Sequence, residues 1–188
     1  MEPGELRLHE GSRLERFEIA VLVHLGAAYN LARWLTRNDA AAEDAVQDEC
    51  VSAFRFFEAM HGPSPKAWFM AIVRNACMDC LREQKRGGSL EEFDEEQHAV
   101  DSDYVSASFV PPEQTALRNA EARAVRAAIA LLPIEYREVI VLRELEEMSY
   151  KEIGAVVKIP IGTVMSRLAR GRDLLRDRLT DTQQEATS

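Results

Sequence analysis

The feature that most constrains this chain is a proline break between two helical stretches within residues 149–178. Ser149 is a helix N-cap residue, and Glu152 three positions on completes a capping box. The short helix this starts runs to about Val157. Lys158-Ile159-Pro160 ends it, because Pro160 fixes its own φ and biases Ile159 away from the helical region. A longer helix follows from about Ile161. Its apolar positions Val164, Leu168, Leu175 and Leu179 share one face at a period near 3.6. The opposite face carries Thr163, Ser166, Arg167 and Arg170. Arginines at 167, 170, 172, 176 and 178 outnumber the acids Asp173 and Asp177. A capped short helix, a tight break and a basic long helix, in that order, form a helix-turn-helix. Hydroxyls and guanidinium forks are the groups that read base edges and hold phosphates in a major groove.

A net charge of −9 over 188 residues runs, at first sight, against nucleic-acid binding. Its distribution resolves the conflict. Residues 87–113 hold eight acids and no Lys or Arg, a net −8, so nearly the whole excess lies in one segment. That segment opens with Gly87-Gly88-Ser89, closes with Pro111-Pro112 and lacks sustained apolar periodicity. Its composition predicts a flexible acidic linker between two helical domains. Three cysteines argue against a disulfide framework and for a reducing cytosol. The acidic, polar N-terminus does not read as a signal peptide, and no apolar run approaches the ~18 residues of a membrane span. The expected location is therefore cytoplasmic, with no membrane insertion.

Before the linker, Phe17, Val21, Leu25, Ala28, Ala32 and Leu35 predict a first helix over 12–36. Asn38 or Asp39 caps a second, from about Ala40 to Met60, with Val46, Ala53, Phe54 and Phe57 inward and Glu43, Asp44, Asp48 and Glu49 outward. Ser64 and Pro65 open a third, to about Arg86, burying Phe69, Ile72, Val73, Ala76 and Leu81. After the linker, Pro112 opens a helix to Leu132, and Pro133 starts another from Ile134 to about Glu147. The fold class is all-α: two small helical domains, 12–86 and 112–179, joined by an acidic linker over 87–111.

Both halves resemble one family, the extracytoplasmic-function (group 4) sigma factors of bacterial RNA polymerase, within the sigma-70 family. AAEDAVQDECVSAFRFF at 41–57 and KAWFMAIVRNACMDCLREQKR at 66–86 look like family region 2. LLPIEYREVIVLRELEEMSYKEIGAVVKIPIGTVMSRLARGRDLL at 131–175 looks like family region 4. The resemblance implies an alternative sigma factor that binds core polymerase and directs initiation through −10 and −35 promoter elements. It also implies docking on the β′ clamp helices by the surface bearing Asp44, Gln47, Asp48 and Glu49, and an approach of region 4 to the β flap. Capture of the melted −10 strand falls to Met60, His61, Lys66, Arg74, Asn75, Arg82 and Arg86. Reading of the −35 duplex falls to Thr163, Ser166, Arg167, Arg170 and Arg172. A cognate anti-sigma factor is implied as a further partner. Trp68 matches a family aromatic and is expected in the core.

This sequence departs from the family at several positions. Lys158 stands where relatives commonly have Gly, and Met165 and Ala169 replace residues that are often basic, aromatic or His. Met60 falls near a loop aromatic of some relatives. Cys77 and Cys80 are three apart on a helix, but no paired ligands complete a zinc site, so they read as packing residues. No catalytic pattern, cofactor site or metal site stands out. Two other readings each fit part of the chain. A stand-alone helix-turn-helix regulator leaves 41–86 without a purpose. A redox or metal sensor would act through Cys77 and Cys80.

Overall fold

The computed structural model describes residues 13–87 and 112–185, with side chains described over 13–86 and 121–180. The expected acidic linker lies mostly outside the described residues. No strand occurs among them.

Helix α1 covers 13–20, and α2 covers Leu25–Thr36. The single helix expected over 12–36 is thus interrupted by a 3-10 turn at Leu22–His24. The break falls among Val21, Val23 and Gly26, all poor helix formers, and leaves Val21 wholly buried while Val23 points outward. Helix α3 covers Asp39–Phe56, where a helix to Met60 was expected, and tightens into a 3-10 turn over Phe57–Ala59. Asn38 is its N-cap, accepting from the Ala41 amide at 2.9 Å. Helix α4 covers Pro65–Gly87. The Ser64 hydroxyl accepts from the Ala67 amide at 3.1 Å, satisfying one of the first-turn donors.

These helices close around Phe17, Leu31, Leu35, Val46, Phe69, Met70 and Val73. Phe17 makes edge-to-face contacts with Phe54 and Phe57, at centroid distances of 5.2 and 5.4 Å. Trp68 is buried with them, as expected. Cys77 is also fully buried, and burial pushes its thiol up to about 12, so it packs as a small apolar residue.

The second region contains α5 (Pro112–Ala130), α6 (Ile134–Ile140), α7 (Tyr150–Val157) and α8 (Ile161–Glu185). The helix expected to run from Ile134 to Glu147 changes character part-way. Over Val141–Leu145 it widens into a π-helical turn, closed by the Glu146 amide on the Val141 carbonyl, five residues back, at 3.1 Å.

The two regions pack on each other, α2 against α6 and α4 against α7. Their buried apolar residues form one continuous cluster. This contact was not legible in the sequence, and it determines what the functional side chains touch.

Candidate nucleic-acid interface

The helix-turn-helix forms as its local chemistry dictates. Ser149 takes the extended cap conformation, and both halves of its capping box with Glu152 are made. The Glu152 carboxylate accepts from the Ser149 amide at 2.9 Å. At the other end of α7, Lys158 is left-handed, with φ 61° and ψ 47°. The chain then passes so close to α7 that a Cβ on Gly154 would sit 3.0 Å from the Ile159 carbonyl oxygen. Glycine at 154 therefore permits the tight turn. Along α8, Val164 and Leu168 are buried, and Gly171 faces α6, where an added Cβ would come within 3.0 Å of Ile140 Cγ1.

The outer face of α8 is less uniform than its periodicity suggests. Ser166 and Arg170 are exposed and Thr163 is half-buried. The Ser166 hydroxyl donates to the Thr163 carbonyl at 3.0 Å. Arg172 grips the Glu144 carboxylate through Nε and Nη2, at 3.0 and 2.6 Å. Arg167, expected on the exposed face with Arg170, turns inward. It is only half exposed and donates to Glu138 Oε1 at 3.1 Å.

On α4, Arg74 donates through Nε and Nη2 to Glu138 Oε2, at 3.0 and 2.8 Å. Lys66 donates to the Glu146 carbonyl at 2.6 Å and pairs with its carboxylate at 3.5 Å. Arg82 pairs with Asp79 at 2.5 Å on the surface. Arg86 is exposed and Asn75 half-buried. In the loop before α4, His61 is exposed, with Nδ1 3.2 Å from the Ala59 carbonyl oxygen, and Met60 packs partly on the core. On α3, Asp44, Gln47 and Asp48 are exposed on one side. Glu49 beside them is half-buried, and its carboxyl is raised by burial, then by Asp48, against the Ser52 hydrogen bond.

Glu138 and Glu146 were missed as partners of these cations. The signal for Glu138 was present: it falls four residues from both Ile134 and Leu142, inside an apolar stripe, where a carboxylate needs a buried partner. Burial pushes the Glu138 carboxyl up, and Arg74 and then Arg167 oppose that rise. For Glu146 the cue is the widened turn, which no periodicity marks.

A helix-turn-helix region packed on a second helical region with its own cations defines an all-α, two-part nucleic-acid-binding class of protein. Residues 21–87 match the family described as Sigma-70 region 2, and residues 122–175 match Sigma-70, region 4. The ECF RNA polymerase sigma-E factor of Haemophilus influenzae is 31% identical over 158 residues, covering 79% of each chain. SigW of Bacillus subtilis, also an ECF sigma factor, is 29% identical over 169 residues, covering 89% of this chain and 90% of that protein. SigE of Mycolicibacterium smegmatis is 34% identical over 156 residues, but this chain spans only 58% of its length. Among solved structures, the sigma factor RpoE of Bartonella quintana, in complex with the anti-sigma factor NepR, superposes with a TM-score of 0.67 at 27% identity. That match covers 85% of this chain and 93% of RpoE. The chain belongs to the extracytoplasmic-function sigma factors of the sigma-70 family, which act as alternative sigma factors in transcription initiation. No described helix is long and apolar enough to cross a membrane.

Proposed function

We propose that this chain binds core RNA polymerase and directs it to a specific set of promoters in the cytoplasm, performing no chemistry itself. Residues 12–86 dock on the β′ clamp helices through Asp44, Gln47, Asp48 and Glu49 and capture the melted −10 strand. Met60, His61, Lys66, Arg74, Asn75, Arg82 and Arg86 form the track for that strand. Residues 112–179 approach the β flap and read the −35 duplex through Thr163, Ser166, Arg167, Arg170 and Arg172, and 87–111 link the two. A cognate anti-sigma factor is the further partner this reading implies.

The observation that carries the reading is the exposed placement of Ser166 and Arg170 on a helix whose other face is locked to α6 and α7. A rigid helix presenting a hydroxyl and a guanidinium is what major-groove reading requires. The amide of Asn75 can donate and accept at the edge of an unpaired base. The test is permanganate footprinting of a transcribed promoter by reconstituted holoenzyme. Unpaired −10 thymines are expected with the native chain and are expected to be lost with Asn75→Ala. Duplex binding at −35 should survive that substitution and weaken in Arg170→Ala. Normal melting by Asn75→Ala contradicts the −10 assignment.

A further inference from the structure

The Glu138 carboxylate is 2% exposed and bridges two arginines from different regions, Arg74 at 13% side-chain exposure and Arg167 at 28%. Under the reading above, one belongs to −10 capture and the other to −35 reading. A nucleic-acid phosphate and a buried carboxylate compete for the same guanidinium donors, so neither arginine can serve DNA while both hold Glu138. Lys66 is engaged in the same way by Glu146, whose carboxylate also accepts from Asn30 Nδ2 at 2.6 Å. Ser64 donates to Glu152 at 2.7 Å beside them. Every one of these contacts except Arg167–Glu138 crosses between the regions.

The geometry points to Glu138 as an autoinhibitory latch: it holds the two regions closed on each other, and separating them is what frees Arg74 for nucleic acid. The inference rests on the assignment of Arg74 to strand capture. The closed interface also carries costs. Arg137 is buried and donates through Nη1 to the Ala130 carbonyl, but its Nε has no hydrogen-bond partner among the described residues, and Arg37 stands close enough to oppose its charge. An interface that leaves a buried donor unpaired opens at less cost than a purely apolar one. On opening, Arg74 regains water or phosphate, while Glu138 keeps Arg167 within its own region until the duplex replaces it.

The test uses the full chain free in solution. Glu138→Gln removes the charge that compensates Arg74, so the closed form is left with a buried unpaired cation and the equilibrium shifts toward the open form. Small-angle scattering should show a larger radius of gyration. Binding of a fluorescein-labelled 12-nucleotide oligo(dT) at low salt should tighten about tenfold, because apparent affinity scales with the open fraction. Glu43→Gln, an exposed change of the same charge, controls for net charge and should move neither reading. If Glu138→Gln does not fold, Glu146→Lys sets a cation against Lys66 at the other end of the interface and should act in the same direction. An unchanged radius and unchanged binding in the folded variants overturn the latch. A larger radius with unchanged binding overturns it too, since masking of a nucleic-acid contact is its content. Retention of core polymerase by these variants reads the sigma-factor assignment separately.

Discussion

The Ser64 hydroxyl donates to Glu152 Oε1 at 2.7 Å, tying the N-terminus of α4 to the N-terminus of α7. Ser64 also caps α4, and Glu152 also closes the capping box on Ser149. One side-chain contact thus joins the entry of α4 to the entry of the helix-turn-helix. Ser64→Ala removes a cap and an interdomain bond together. It should cost about 1–2 kcal/mol, seen as a Tm lowered by a few degrees. An unchanged Tm would show that water replaces both bonds.

Glu152 makes the same junction sensitive to acid. The Ser64 hydrogen bond, opposed by burial and assisted by Ser149 and Lys66, holds its carboxyl below its ordinary value of 4.5. A depressed carboxyl contributes stability that is present above its unfolded value and lost as pH falls through the folded one. Thermal unfolding of the native chain should therefore weaken below about pH 4.5 more steeply than that of Glu152→Gln. Parallel acid limbs for the two proteins would remove Glu152 from the account.

Lys158 stores strain at the turn of the helix-turn-helix. Its φ of 61° lies in the left-handed region, where a side chain costs of the order of 1 kcal/mol and glycine very little. Lys158→Gly should stabilise region 4 by about 0.5–1 kcal/mol, net of glycine's greater freedom in the unfolded chain. Denaturant midpoints measure it, and a lower midpoint in the variant would place the strain elsewhere.

The acidic face of α3 should matter to polymerase and little to the fold. Asp48 is exposed, and Glu49 is half-buried beside it with a raised carboxyl. Reversing both to Lys places cations where the proposed clamp contact needs anions. Core affinity measured by fluorescence titration should fall at least tenfold, with helicity retained. Unchanged affinity would move the docking surface off this helix.

Local structure was legible wherever its cause was local. Asn38, Ser64 and Ser149 marked helix starts because capping needs only three or four neighbouring residues. Val164 and Leu168 marked the buried face of α8 because helical period alone decides it. The interruption at Leu22–His24 had only the weak local cue of Val21, Val23 and Gly26, which the apolar periodicity on either side overrode, and the widening at Val141–Leu145 had no periodic mark at all. Arg74 and Arg167 could be read as cations on helices. That both end on one buried carboxylate depends on the packing of two regions whose connection in sequence is only an acidic stretch. Thr163, Ser166, Arg167 and Arg170 were read from the face of α8 opposite its apolar positions, whereas the −10 and polymerase-docking residues came from the family resemblance, since periodicity distinguishes an exposed face from a buried one and nothing finer.

The most direct measurement is run-off transcription with core polymerase on a genomic promoter library, in the presence and absence of this chain. Discrete transcripts that appear only when the chain is added are the expected result. Those transcripts should share −35 and −10 sequences, and Arg170→Ala or the Asp48/Glu49 reversal should deplete them. Transcription indistinguishable from core enzyme alone, with a well-folded chain and no inhibitor present, would contradict it.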